Sequence, residues 1–96
     1  PPRPSFDLSA YGALVIELRG VSGGESVLVG LKDNTDRDDG SESKVKIDAL
    51  TTEWQTHEIA LSRFRTADLT RIYVATEFVF GRQPMSIRVR KIEFIP

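Results

Sequence analysis

The sequence has no cysteine, and this absence excludes two classes of small domain. Without that residue neither a disulfide framework nor a metal site built on thiolates can form. The chain also lacks any apolar run close to the ~20 residues that a membrane-spanning helix needs. What is present is a chain of 96 residues with 40% hydrophobic content. That is enough for one domain with a compact core.

An excess of positive charge is also missing. Thirteen basic residues stand against fourteen acidic ones, which gives a net charge of −1. Nucleic acids and anionic membranes attract proteins through a basic excess, so we expect neither as a partner. The basic residues near the C-terminus are not interleaved with aromatic residues as in an oligonucleotide platform, so pairing with acidic residues across strands is expected. These basic residues are Arg82, Arg88, Arg90 and Lys91.

Residues for catalysis are scarce. His57 is the only histidine, and no G-x-S-x-G nucleophile motif occurs. Glu17 and Glu77 have the chemistry of a glycosidase pair, but charged residues on an exposed sheet face are far commoner than such a pair. A small sandwich also offers no deep pocket that would raise the pKa of one carboxyl group. We therefore predict that the chain is not an enzyme.

Aspartates crowd one polar stretch, residues 33–43, and suggest a calcium loop at first sight. The EF-hand spacing D-x-[DN]-x-[DN]-G is not met, because Arg37 intervenes and no glutamate closes the loop. Turns favour aspartate, asparagine and glycine for backbone reasons alone. We predict a solvated loop, no metal and no cofactor; a structural calcium ion is not supported by the spacing.

Apolar and polar residues alternate in six segments separated by turn residues, as in half-buried strands. This pattern predicts an all-β fold, an antiparallel β-sandwich of about six to eight strands with no long helix. Pro1, Pro2 and Pro4 predict a linker over residues 1–5, which leaves residues 6–96 as a single domain. The six segments are residues 13–19, 26–32, 44–50, 54–61, 71–80 and 86–94.

Two irregularities stand out in this pattern. Gly30 inside the second segment predicts a bulge or a close contact. The alternation slips at Arg90 and Lys91, which predicts a second bulge. The residues on the apolar faces form the predicted core: Leu14, Ile16, Leu18, Val27, Val29, Leu31, Val45, Ile47, Ile59, Leu61, Phe64, Ile72, Val74, Phe78, Phe80, Ile87 and Val89.

The order of these segments resembles the carbohydrate-binding modules of the galactose-binding-like jelly-roll class. The resemblance runs from about Phe6 to Phe94, and each motif alone is unspecific. The motifs that carry it are Asp7-Leu8-Ser9, residues 14–20, residues 27–33, Glu53-Trp54-Gln55, residues 59–62, Phe64, residues 68–72, residues 78–80 and residues 86–94.

The resemblance implies a jelly-roll sandwich and a non-catalytic module that binds a poly- or oligosaccharide. Such modules are appended to a larger, secreted bacterial enzyme, which implies an extracellular or periplasmic location. Trp54 has the ring of a sugar-stacking platform, but the resemblance implies that it is buried between the sheets, paired with Phe64. An exposed Trp54 would move the sugar site to this residue. A related group with the same sandwich serves the assembly of respiratory complexes. The alternative is therefore a structural or protein-interaction module without a sugar site.

Sugar sites combine aromatic rings with polar side chains that fix the hydroxyl groups. By alternation, the sheet face opposite the core carries charged residues and a single ring, which suits an acidic or short ligand. Two further candidates lie near an end of the sandwich, where loop-based sites form. The predicted ligand-binding residues are Tyr73, Glu77, Glu17, Arg88 and Arg90 on the face, with Tyr11 and Asp33 at the end.

Two departures from the family bear on partners. Family members usually carry further strands before the segment that matches Phe6, and an uncovered sheet edge invites pairing. We therefore expect a homodimer, or an intramolecular partner, to cover an open sheet edge. Many members also place an aspartate in the last strand. Here residues 88–91 read Arg-Val-Arg-Lys, which argues against a cation site there.

Overall fold

The computed structural model describes residues 4–37, 39, 41–80 and 85–96, and within them the chain forms six strands. No helix in these residues is long and apolar enough to cross a membrane. Two single-turn 3-10 helices cover Leu61–Arg63 and Leu69–Arg71. The strands are β1 (Ala13–Gly20), β2 (Val27–Asp33), β3 (Ser43–Ile47), β4 (Gln55–Ala60), β5 (Ile72–Val79) and β6 (Ile87–Ile95).

The strands form two antiparallel sheets of three strands each, in the orders β4–β1–β6 and β3–β2–β5. β1 and β2 are therefore the central strands, and they contribute most of the fully buried side chains. The two sheets share one apolar core, so the predicted all-β antiparallel sandwich is confirmed. A jelly roll has eight strands in two Greek keys. The described residues contain six, and the jelly-roll topology stays a prediction.

Most of the predicted core is confirmed. Twelve of the predicted residues are buried, from Leu14 on β1 to Ile72 at the start of β5. Leu8 and Leu50 also belong to the core cluster and were not predicted. Leu8 lies outside the predicted segments. Leu50 ends the predicted segment 44–50, where alternation places it on the outward face, but β3 ends at Ile47 and Ala49 has a positive φ, so the alternation does not continue to Leu50. The twelve confirmed residues are Leu14, Ile16, Leu18, Val27, Val29, Leu31, Val45, Ile47, Ile59, Leu61, Phe64 and Ile72.

Of the residues predicted in or beside β5 and β6, Ile72 is buried and Phe78 and Ile87 pack against the core, but the prediction is wrong for Phe80 and Val89. Phe80 and Val89 are 40% and 39% exposed. Val74, Phe78 and Ile87 are only partly buried.

Edge position alone does not explain the difference, because β3 and β4 are also edge strands and their inward residues Val45 and Ile59 are buried. For Val74 the reason is the register shift in β5, which pairs it with Lys32. In the described residues, β6 leaves the apolar side chains of Val89 and Ile92 largely open to solvent.

Both predicted irregularities are confirmed. The β1–β6 register shifts between Glu17 and Leu18, which pair with Lys91 and Val89, so Arg90 is the extra residue of a bulge. The β2–β5 register shifts after Gly30. There the Glu77 carboxyl group packs so closely that a Cβ added to Gly30 would stand 2.6 Å from Glu77 Oε1. Each bulge changes which side chains reach the outer face of its sheet.

Candidate functional site

Trp54 lies on the outer face of the β4–β1–β6 sheet, just before β4. The pairing of Leu18 with Gln55 puts Trp54 next to Arg19 on the neighbouring strand. The guanidinium carbon of Arg19 stands 5.3 Å from the centroid of the indole ring, and that of Arg90 stands 4.5 Å away. Trp54 is half-buried and is not a member of the core cluster. The expectation of a buried Trp54 paired with Phe64 is therefore wrong.

The bulge in β6 brings Arg90 to this face. Arg90 Nε donates a 2.6 Å hydrogen bond to Glu17 Oε1, and the two side chains form an ion pair across β1 and β6. The Glu17 side chain is only 19% exposed, so this pair is partly shielded from water and from salt. The contact fixes the position of Arg90 beside the indole ring. A cation within ~6 Å of a tryptophan centroid is also attracted by the ring itself.

A third arginine completes the group. Arg88 lies directly opposite Arg19 in the β1–β6 ladder. Like charges in that position repel each other. Within the part of the chain that the structure describes, neither Arg19 nor Arg88 forms an ion pair. We name these residues the arginine–tryptophan patch: Arg19, Trp54, Arg88, Arg90 and Glu17.

A cleft opens at the same end of the sandwich as this patch. Its volume is about 390 Å³. It begins at the residues that follow β1 and precede β6, which are joined by a hydrogen bond from the Val21 amide to the Ser86 carbonyl. The cleft therefore lies beside the ladder position of Arg19 and Arg88. Its lining residues are Val21, Ser22, Gly23, Gly24, Glu25, Met85 and Ser86.

The outer face of the β3–β2–β5 sheet carries a different group, a pair of carboxyl groups on Glu42 and Glu77. Burial raises the pKa of Glu77, and the hydrogen bond with Glu42 and the charge of that residue raise it further. The expectation that no carboxyl pKa is raised in this sandwich is therefore wrong for Glu77, although Glu17 lies on the other sheet and does not pair with it. The hydrogen bond between Glu42 and Glu77 lowers the pKa of Glu42. The pair therefore holds one proton more readily than an isolated glutamate does. Lys44 Nζ, 3.5 Å from Glu42 Oε1, offsets the charge that remains.

Comparison of the chain with known protein families gives the class of function. The family model described as "Carbohydrate binding domain 30" matches residues 3–96, nearly the whole chain. The chain belongs to this family. Domains of this kind bind carbohydrate and do not catalyse a reaction on it. No curated protein and no solved structure matches the chain significantly.

For this carbohydrate-binding domain, the structure divides the predicted site residues between the two sheets. Glu17, Arg88 and Arg90 lie on β1 and β6, whereas Tyr73 and Glu77 lie on β5. They were predicted to share one face, and the sheet order separates them, because β1 and β6 belong to one sheet and β5 to the other. Only the first three lie in the arginine–tryptophan patch.

Tyr11 lies at the far end of β1 from the patch. Its ring packs against Phe94 with 6.1 Å between the centroids. Eight residues of extended chain separate it from Arg19, a span of roughly 26 Å. Tyr11 and the patch are therefore too far apart to hold the same sugar unit.

Asp33 is buried, at 3% exposure, and serves the fold. Its Oδ1 accepts hydrogen bonds from the amide and the hydroxyl of Thr35, and its Oδ2 accepts one from the amide of Asp68. Burial alone would raise the pKa of Asp33, but these hydrogen bonds bring it below its ordinary value. Because both oxygens are engaged within the chain, we leave Asp33 out of the proposed site.

His57 and the aspartates add no chemistry to the site. His57 pairs with Ile16, so it lies on the inner face of β4, and its Nε2 has no hydrogen-bond partner among the described residues. In the same residues, no group of three or more histidine, cysteine, aspartate or glutamate side chains is placed to hold a metal ion. Asp38 and Gly40 lie outside the described residues.

Two residues of the patch, Arg19 and Trp54, were missing from the predicted site. A signal for Trp54 was present in the sequence, because alternation places it on the same face as Thr56 and Glu58, which is the polar face. The family resemblance instead implied that Trp54 is buried, and the prediction followed the resemblance rather than the alternation. For Arg19, alternation placed it on the outer face, but only the β1–β4 register brings it to the indole ring.

Proposed function

We propose that this domain is a non-catalytic module that binds a poly- or oligosaccharide at the arginine–tryptophan patch. The observation that carries the proposal is the place of Trp54, on an outer sheet face beside Arg19 and Arg90, with Arg88 opposite Arg19 in the ladder. As a further part of the proposal, the sandwich is of the galactose-binding-like jelly-roll class. The domain is then appended to a larger bacterial enzyme that acts on the same polysaccharide in the extracellular space or the periplasm.

The chemistry of the patch supports this proposal. Large aromatic side chains with one polar end are typical of binding surfaces, where they supply contact area. Guanidinium groups add donors in a fixed planar arrangement, which suits oxygen-rich ligands. The adjacent cleft of about 390 Å³ is within the size range of small-ligand sites. Together these features provide a ring, donors and a concave surface at one end of the sandwich.

Trp54 also makes the proposal easy to test, since it is the only tryptophan. We expect its fluorescence to change on titration with the polysaccharide or oligosaccharide that a glycan array identifies. Trp54→Ala should weaken binding at least tenfold in isothermal titration, because both the ring and the position of the arginines are lost. Tyr73→Ala, on the opposite sheet, is the matched control and should bind as the wild type does.

Circular dichroism on each variant separates a lost site from a lost fold. A folded wild-type domain that binds no glycan on the array would contradict the proposed function. Equal loss in Tyr73→Ala and Trp54→Ala would move the site away from the patch.

A second candidate function is a protein-interaction module, and the open side of the sandwich favours it. Val89 and Ile92 pair with Leu18 and Ile16, so they face the interior, yet they are 39% and 48% exposed. We propose that a second copy of the domain covers this side. Sedimentation at high protein concentration should then show a dimer, and Ile92→Asp should abolish it. A stable monomer would refute this candidate and leave the sugar-binding proposal intact.

A further inference from the structure

We propose that the ligand of the arginine–tryptophan patch is an acidic carbohydrate, one whose sugar units carry a carboxylate or a sulfate group. This inference rests on the proposed function, because it assigns a ligand class to the same site. It follows from the charges of the patch, from the use of the indole ring and from the geometry of the guanidinium groups.

The patch has an excess of positive charge that the chain as a whole does not have. Three guanidinium groups, on Arg19, Arg88 and Arg90, face one carboxylate, on Glu17, although the chain has a net charge of −1. Glu17 is engaged by Arg90. Lys91, the next cation along β6, is paired with Glu93 at 3.2 Å. Within the described residues, Arg19 and Arg88 are thus left without a carboxylate.

The indole ring of Trp54 is occupied in a way that disfavours a neutral sugar. Two guanidinium carbons stand 4.5 and 5.3 Å from its centroid. Any sugar that stacks its C–H groups on the ring must compete with these cations, but an acidic sugar also gains charge-assisted hydrogen bonds to the same cations, which a neutral sugar does not. The ring also keeps Arg19 and Arg90 in fixed positions, which lowers the entropy cost of using them to bind a ligand.

The repulsion between Arg19 and Arg88 gives an anion a specific place. The two residues lie directly opposite each other in the ladder, where like charges destabilise the sheet. An anionic group between them would replace this repulsion with two attractions. Guanidinium groups bind carboxylates and sulfate-like oxyanions through pairs of parallel N–H···O bonds, which are stronger than bonds between neutral groups.

The experiment compares sugars that differ only in charge. Titrations use polygalacturonate and its fully methyl-esterified form, which has the same rings without the negative charge, at 50 mM salt. A sulfated galactan and its desulfated form make up the second arm, which distinguishes carboxylate from sulfate. We expect one acidic form to bind at least tenfold more tightly than its neutral counterpart. The difference should shrink at 500 mM salt, because screening weakens the attraction.

Variants assign the effect to the patch. Arg19→Gln and Arg88→Gln should each weaken binding of the preferred acidic form about five- to tenfold and leave thermal stability near that of the wild type. Lys46→Gln is the matched control, since it removes an exposed cation from the opposite sheet. It should leave the affinity unchanged. Polyglutamate, a polyanion without sugar rings, should bind at least tenfold more weakly than the preferred acidic sugar.

Each outcome has a distinct meaning. Equal affinity for the acidic and neutral forms would overturn the acidic ligand and leave the proposed function standing. Acid-specific binding that Arg19→Gln and Arg88→Gln do not weaken would also overturn it. Equal binding of polyglutamate would show a charge effect without sugar recognition. Failure to bind any glycan on the array would instead overturn the proposed function itself.

Discussion

Phe64→Ala should destabilise the domain by about 3–5 kcal/mol. Phe64 is fully buried in the core cluster, and it follows the 3-10 turn Leu61–Arg63 directly. Its removal leaves a cavity that the surrounding β-strands cannot close, because close-packed cores relax only in part. The total free energy of unfolding of such a domain is about 5–15 kcal/mol, so this substitution removes a large share of it. The melting temperature should fall by about 15–30 °C.

Phe80→Ala is the matched control for this substitution. Phe80 has the same side chain but is 40% exposed beside β5, so the same truncation removes less buried area and leaves no closed cavity. We expect a loss of about 1–2 kcal/mol in the free energy of unfolding. Urea unfolding measures the free energy of unfolding of both variants, and their m-values should equal that of the wild type. Phe64→Leu provides a milder change if Phe64→Ala does not fold. Equal losses at the two positions would show that Phe64 is not a central core residue.

Gly20→Ala should cost about 1–3 kcal/mol, although the position is at the end of a strand. A Cβ at Gly20 would overlap Glu25 Oε1 and stand 2.7 Å from Glu25 Cδ. Glu25 is 6% exposed, and its Oε2 accepts a 2.8 Å hydrogen bond from the amide of Ser22. That bond lowers the pKa of Glu25, so the carboxylate is held in its ionised form inside the β1–β2 turn. The added methyl group would force it out.

Variants of Glu25 test whether its contact with the added methyl group causes the loss of stability in Gly20→Ala. Glu25→Ala removes the carboxylate, so Gly20→Ala added to it should cost almost nothing further. Glu25→Gln keeps the size of the side chain and should not relieve the clash. The measurement is a double-mutant cycle on unfolding free energies. If the losses of unfolding free energy in Gly20→Ala and Glu25→Ala were additive, the clash with Glu25 would not be the cause.

Alternation alone placed the residues of the central strands correctly. β1 and β2 are flanked on both sides, so every inward residue of these strands is covered, and Leu14, Ile16 and Val29 are fully buried. The same pattern failed at Phe80, just after β5, and at Val89 in β6. The sequence pattern states which way a side chain points, whereas burial also depends on what the rest of the fold places over it. β3 and β4 are edge strands too, yet their inward residues Val45 and Ile59 are buried.

The candidate site was predictable in part. Glu17, Arg88 and Arg90 were predicted and lie in the patch, because alternation places them on an outer face. Tyr73 and Glu77 were assigned to the same face, and they lie on the other sheet. Alternation distinguishes inside from outside but does not distinguish one outer face from the other, since that depends on which strands pair.

The sequence by itself therefore determined the strand-rich sandwich, the two bulges at Gly30 and Arg90, and the centre of the core. These features are local, because each can be seen within the sequence of one strand: the two-residue alternation of apolar and polar residues, the missing side chain of Gly30, and the shift of the alternation at Arg90. The tertiary structure alone decided that Trp54 meets Arg19 and Arg90 and that Arg88 faces Arg19. Such contacts join residues up to seventy positions apart, and their register is fixed only when β1 pairs with both of its neighbours.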